Sequence, residues 1–153
     1  MAISGDGRVC AASFGDGTIR WYNMKNGAEL LTLFPHADQK RWVAWTPSGF
    51  YDCSPGAEDL IGWHINRGKD RTPDFYPASR FRVNFYRPDI VAQVLLTGDE
   101  RLAAQIADRE SGRNSQAAVL EQKLPPVVRI LSPADSGDFM ETALQVKYAV
   151  RSP

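Results

Sequence analysis

Cys10, Cys53, His36 and His64 are the residues whose types could do nucleophilic or metal chemistry. A cysteine peptidase needs a thiolate with an imidazole in reach to generate it. Cys53 with His64, or Cys10 with His36, are the pairs to weigh. Neither cysteine opens a helical pattern or sits in a glycine-flanked nucleophile turn, and neither histidine has an evident orienting partner. The same four residues lack the close ligand pairs of a structural zinc site. Asp52, Glu58 and Asp59 cluster near one loop, but paired carboxylates also need a substrate-sized cleft between them, and these read as solvated turn residues. Gly5-Asp6-Gly7, Gly15-Asp16-Gly17 and Pro55-Gly56 have no lysine in Walker spacing and no helix after them, so they read as hairpin turns rather than phosphate loops. No catalytic, cofactor-binding or metal-binding residue is expected.

Aromatic and basic residues interleave later. Trp42, Trp45, Trp63, Phe75, Tyr76, Phe81, Phe85 and Tyr86 are accompanied by Arg67, Arg71, Arg80, Arg82 and Arg87. Such a run can stack single-stranded nucleic acid, or it can pack inward with arginine stems over the rings. Acidic residues are mixed in, and the 18 basic and 18 acidic side chains of the 153-residue chain cancel. Packing is the expectation, with neither nucleic acid nor an anionic membrane as partner.

The elements that must position these residues repeat. Ser4–Gly7 is answered by Thr46–Gly49, Ile19 by Ile61 and Trp21 by Trp63, each 42 residues on, with no insertion or loss between the copies. A period of about 40–45 residues containing strand, turn and strand is the mark of a propeller blade. In the first copy Val9–Phe14 and Thr18–Asn23 read as strands around Gly15-Asp16-Gly17, and Glu29–Phe34 as the outer strand. In the second, Trp42–Trp45, Phe50–Cys53 and Leu60–Ile65 are the strands. Ile19, Trp21, Trp45, Ile61 and Trp63 are the expected core. Gly7, Gly17, Gly49 and Gly56 are the expected turn glycines. Cys10 and Cys53 fall one step apart in this register and read as small buried strand residues of a reducing compartment.

Residues 67–85 read as irregular backbone pinned by its rings. Arg87-Pro88-Asp89 opens a helix that Gly98 stops. A second helix is expected over 99–110, with Leu102, Ala103 and Ile106 on one face, and 111–122 reads as linker or frayed helix. Val127–Leu131 and Ala143–Val150 read as strands around a turn at 132–135. Three regions follow: two blades at 1–66, an aromatic-rich helical connector at 67–124, and the start of a β-sandwich at 125–153. No apolar run is long enough to span a membrane. The N-terminal residues have no basic and apolar leader pattern, so a cytoplasmic location is expected.

Residues 1–66 resemble the last two blades of a WD-repeat β-propeller. The resemblance rests on Gly15-Asp16-Gly17, on the strand Thr18-Ile19-Arg20-Trp21-Tyr22-Asn23, on Lys25-Asn26-Gly27-Ala28-Glu29-Leu30-Leu31, and on His36 in place of the family's Gly-His. The signature Trp-Asp falls on Tyr22-Asn23 and on His64-Ile65. The text from Trp42 to Gly56, from Glu58 to Gly68, and Phe85-Tyr86-Arg87-Pro88-Asp89-Ile90-Val91 is similar to bacterial multidomain proteins that join such a propeller to a caspase-like peptidase domain. That resemblance implies a mainly β fold: two WD-type blades, a helical segment, then immunoglobulin-like strands opened by Pro126–Pro133. It implies that the peptidase motifs lie outside this chain. It also implies a non-catalytic function, a scaffold for protein partners within a larger regulatory polypeptide. The alternative is a stand-alone module that completes a propeller by self-association through open blade edges.

Overall fold

The computed structural model describes residues 1–66, 68–69, 73–115, 126–133 and 143–151. Among them strand outweighs helix, 35% against 27%, every ladder is antiparallel and no barrel closes, so the fold is mainly β. The chain divides into two compact units, Met1–Ala118 and Val119–Pro153.

In the first unit six strands form one meander: β1 (Ala2–Ile3), β2 (Val9–Ser13), β3 (Ile19–Asn23), β4 (Glu29–Pro35), β5 (Trp42–Trp45) and β6 (Tyr51–Cys53). Short polar side chains close its turns. Asp16 Oδ1 accepts from the Thr18 N–H (2.9 Å) and hydroxyl (2.6 Å), and Asp6 Oδ1 accepts from the Ser4 hydroxyl (2.6 Å) and the Arg8 N–H (3.1 Å). Such bonds satisfy turn amides locally, which is why aspartate recurs there.

Two expectations change at this level. β4 is not an outer strand, because it pairs with β5 from Thr32↔Trp45 to Pro35↔Trp42. The sheet instead breaks after β6. There Ser54 Oγ accepts the Trp42 N–H (2.9 Å), Pro55 has no N–H to donate, and a 3-10 turn follows at Glu58–Leu60. β7 (Gly62–Ile65) then pairs only with β8 (Asp74–Pro77). The free edge of β6 is taken by the chain further on: Tyr51 and Tyr86 form a parallel bridge, and the Arg87 N–H donates to the Tyr51 carbonyl (2.9 Å).

The copies also differ in length. Gly7 N–H donates to Ser4 O (2.9 Å) as Gly49 N–H does to Thr46 O (2.8 Å), but Ser4 N–H reaches Val9 O whereas Thr46 N–H reaches Phe50 O. The first turn therefore holds one residue more, and β2 and β6 are out of step with the 42-residue repeat. Cys10 lies across from Ile3, but the residue across from Ile3's counterpart Trp45 is Tyr51 and Cys53 faces Val43, so the two cysteines are not equivalent positions.

Residues 73–85 are regular rather than irregular. β8 leads into a 3-10 helix at Ala78–Phe81 and a single helical turn, α1 (Arg82–Phe85). Residues 67 and 70–72 of that stretch lie outside the described residues. α2 (Pro88–Thr97) begins with proline, whose missing N–H costs nothing there, and ends on the left-handed Gly98. α3 (Glu100–Ser111) is capped by Asp99, whose Oδ1 accepts the Leu102 N–H (2.9 Å). Its buried face is Ala103, Ala104 and Ala107, while Leu102 is 46% exposed. Packing against α2 favours methyl side chains, which let the two axes approach closely. The expected face through Leu102 and Ile106 is displaced accordingly. Residues 116–122 of the expected linker lie outside the described residues.

One side chain joins these layers. Arg87 is 1% exposed, and its guanidinium meets Asp89 Oδ2 from NH2 (2.8 Å) and lies 2.8 Å by NH1 from Asp108 Oδ1 on α3. Asp108 Oδ2 in turn accepts from the Ser115 N–H and hydroxyl, both at 2.7 Å. α2 packs on β4 and β6 as well as on α3, and Ile90, Val94, Val43 and Tyr51 are all fully buried.

In the second unit β9 (Val127–Ser132) pairs with β10 (Lys147–Arg151), with Ile130 opposite Tyr148 and Val128 opposite Val150. These four side chains share one exposed face. Residues 143–146 precede the strand rather than opening it, and residues 134–135 of the expected turn lie outside the described residues. Among the described residues no helix is long and apolar enough to cross a membrane.

Arg87→Met leaves two carboxylates facing a site without its cation, and is expected to cost about 3 kcal/mol of unfolding free energy in urea titration. Asp89 is held below its ordinary pKa mainly by its hydrogen bonds from Arg87. Burial raises Asp108, but the Ser115 and Arg87 bonds outweigh it and the net shift is downward. Folded-state values below the unfolded ones make this stabilisation complete above the ordinary carboxylate range, roughly pH 4, and progressively lost as pH falls further. Acid titration should show that loss in the native protein and a smaller one in Arg87→Met.

Candidate functional site

Between the β5–β6 turn and the β7–β8 hairpin lies a cleft of about 490 Å³ walled by Trp45, Pro47, Leu60, Ile61, Trp63 and Phe75. The aromatic cluster behind it explains its position. Trp63 stands edge-on to Phe81 (centroids 5.0 Å apart) and tilted to Phe85 (4.9 Å), while Phe50 meets Phe85 at 6.0 Å and Tyr76 meets Phe81 at 6.0 Å. Tilted and edge-on contacts suit the ring quadrupoles and leave Trp63 little freedom.

Two glycines keep the cleft open. Gly49 has φ +90°, and a Cβ there would come 3.3 Å from the Trp63 indole. At Gly62 a Cβ would come 2.4 Å from the Tyr76 carbonyl oxygen and 2.5 Å from the Phe75 ring, so no other residue fits without displacing backbone. Phe75 lies over the space that the missing side chain leaves and is itself 60% exposed.

A polar cluster adjoins the aromatic one. The Tyr51 hydroxyl, fully buried, lies 3.1 Å from Glu58 Oε1 and 3.4 Å from the Ala78 carbonyl. Glu58 also takes the Arg82 guanidinium, which stacks over the Tyr86 ring at 4.1 Å. Burial, followed by the Glu58 charge, raises the Tyr51 phenol. Cys53 stands beside this group, and its thiol is pushed up to about 11, first by burial and then by Glu58 and Asp52. That shift is the reverse of what activates a nucleophile.

The chemistry-bearing residues of the sequence are dispersed. Cys10 is buried with Sγ 3.9 Å from the Ala11 carbonyl, and His36 sits with Asp38 (3.1 Å) and Arg41 (3.4 Å). His64 is exposed on β7 across from Phe75. Neither thiol has a histidine among its hydrogen-bond partners. Among the described residues no three histidine, cysteine or carboxylate side chains converge as a metal set.

Ile19, Trp21, Trp45, Ile61 and Trp63 are half-buried rather than closed over. The fully buried set includes Val43, Tyr51, Tyr76, Phe85, Ile90, Val94 and Arg87. The reason is where the second layer falls: α2 packs chiefly on β4 and β6, and β3 meets its C-terminal cap through Asn23. Trp45, Ile61 and Trp63 each turn one side to the cleft. Gly7, Gly17, Gly49 and Gly56 have φ of +70°, +84°, +90° and +76°. Sequence reasoning missed Glu58–Arg82 and Arg87–Asp108 as pairs, and no short-range spacing signals either.

Alkylation by iodoacetamide at pH 8, followed at Cys53 by peptide mass mapping, should run at least about tenfold slower in the native protein than in urea, because little of the thiol is ionised when its pKa is well above 8.5. Native reactivity equal to the unfolded value would restore Cys53 as a candidate nucleophile. In comparisons with protein-family models, curated proteins and solved structures the chain matches none, so the reading of this surface stands on its own geometry.

Proposed function

We propose that this chain is a non-catalytic scaffold for protein–protein contact, its first strands being two WD-type propeller blades within a larger regulatory polypeptide. The observation that carries the reading is the recurrence of one turn. Ser4–Gly7 and Thr46–Gly49, 42 residues apart, close with the same hydrogen bond onto a left-handed glycine and each join a pair of antiparallel strands. In this chain the two copies share one sheet through the β4–β5 ladder, so the apolar faces they leave half-covered would be closed by further blades rather than by each other. The half-buried Ile19, Trp21 and Trp45 suit that arrangement. In the same reading 67–124 is the connector, β9 and β10 are the opening strands of an immunoglobulin-like sandwich, and the work of the parent protein is done by a caspase-like peptidase domain elsewhere in its chain. Exposed loops such as Gly15–Gly17 and Pro55–Asp59 present the contacts, since a rigid sheet holds them in place.

A second reading is a stand-alone module that self-associates through open edges. It is favoured by β1, a two-residue exposed strand paired on one side only.

Light scattering across concentration, joined to thermal melting, separates the two. The scaffold reading expects open-ended association or a poorly cooperative melt that additional blades in cis convert to a cooperative one. A discrete closed oligomer points to the stand-alone module, and a cooperative monomer at every concentration overturns both. Coding sequence around this chain that lacks a His/Cys peptidase domain would remove the proteolytic link and leave the scaffold.

A further inference from the structure

The outer edge of β6 holds a different occupant from the matching edge of β2. In the first copy the Arg8 carbonyl accepts the Met24 N–H (2.8 Å) and the Phe14 N–H donates to the Thr18 carbonyl (2.8 Å). By the alternation of an antiparallel ladder, Cys10 and Ala12 therefore turn their backbone groups toward β3. The Ser4–Val9 and Thr46–Phe50 bonds make Phe50 the counterpart of Val9, so Tyr51 and Cys53 are the counterparts of Cys10 and Ala12. In the second copy these outward groups have other partners. The Tyr51 carbonyl takes the Arg87 N–H (2.9 Å), and the Cys53 N–H donates to Asp52 Oδ1 (2.8 Å).

β7 carries the residues that match the first copy's occupant. Applying the β2–β3 register, with β3 matched to β7 at 42 residues, sets Tyr51 opposite His64, Asp52 opposite Trp63 and Cys53 opposite Gly62. Trp63 then ends the lateral row Ile19, Leu33, Ala44 and Asp52, which runs from β3 to β6 on one face of the sheet. The connection over 55–60 is one residue longer than that over 14–18, so it is long enough for this pairing. β7 holds its observed place by a four-residue ladder with β8 and by Trp63 against Phe81 and Phe85. Both arrangements use the same Tyr51 carbonyl, so each excludes the other.

We infer that Tyr86–Arg87 is a latch on the β6 edge and that β7 is its competing occupant. The chain then has two states: the observed one, with the second blade open, and a minor one in which β7 joins β6 and closes it. The inference rests on reading the repeat as a pair of blades, and it adds how the second is completed. The Arg87 side chain sets the balance, because its bonds to Asp89 on α2 and Asp108 on α3 keep its backbone N–H at Tyr51. A neighbouring blade shifts that balance only by as much as it binds the closed state more tightly than the open one.

The test is disulfide trapping in the full chain carrying Cys10→Ser, which leaves Cys53 as the only native thiol. Directly opposed residues of such a ladder stand about 5.5 Å apart at Cα, within disulfide reach. Gly62→Cys is expected to form an intramolecular disulfide with Cys53 in oxidised glutathione while far-ultraviolet circular dichroism stays native. Ile65→Cys, on the opposite face of β7, should not. Adding Arg87→Met should speed trapping at least about tenfold, since it removes the cation from the latch. A side chain at Gly62 crowds the Tyr76 carbonyl, so hydrogen exchange of the unsubstituted chain is the second measurement. There the Arg87 amide and the β7 amides should exchange through one shared opening, at lower free energy than those of β3. No disulfide, equal trapping of Ile65→Cys, a rate unmoved by Arg87→Met, or an Arg87 amide that opens only with the whole sheet would each overturn the latch. None of those results alters the association measured by light scattering, so failure of the latch and failure of the scaffold reading are told apart.

Discussion

The buried guanidinium of Arg87 is the constraint on which the first unit depends. Its backbone N–H closes the edge of β6 through the Tyr51 carbonyl, while its side chain binds Asp89 at the start of α2 and Asp108 on α3. One residue thus joins the sheet and both helices. A charge so enclosed is tolerated only while its partners stay in place, since an unpaired ion there costs far more than the pair contributes. The requirement acts on geometry more than on net stability. α2 must start at Pro88, α3 must pass close enough to present Asp108, and Ser115 must hold that carboxylate from its other side.

The cleft follows from the same arrangement. With the edge of β6 occupied by Tyr86 and Arg87, β7 has no place beside it and pairs with β8 instead. The hairpin stands off from the sheet, and the gap between them is walled by the tryptophans of β5 and β7. Glu58 and Arg82 bridge the 3-10 turn to α1, and Glu58 also accepts from the Tyr51 hydroxyl. A surface so built is braced on the Trp63 side by Phe81 and Phe85 and open to solvent at Phe75.

Local chemistry was legible wherever the signal lay within a few residues. The turns at Gly17 and Gly49, the proline start and glycine stop of α2, and the aspartate cap of α3 are short-range events, and each shows in the spelling of the chain. The site was less legible. Trp45, Trp63 and Phe75 were visible as aromatic, but nothing in their spacing says that Gly62 leaves room for a ring over it or that the sheet breaks at Pro55. The repeat itself misled at one point. Identity at Gly7 and Gly49 matched the copies at 42 residues and concealed the additional residue in the first turn, because a turn's length is set by which carbonyl its amide reaches.

The sequence by itself determined the mainly β class of the first 66 residues, the sites of the turns, and the two helices and their ends. These rest on propensity and patterning, which act over one or two turns of chain. Tertiary structure alone decided which strands pair, that α3 buries its alanines rather than Leu102, and that Tyr51, Arg87 and Asp108 are central. Those choices belong to contacts between residues far apart in the chain, such as Asn23 with Gly98 (2.9 Å) and Ser48 with Glu100 (3.1 Å). Their free energy arises only when separate layers meet and expel water, so no local window of sequence carries it.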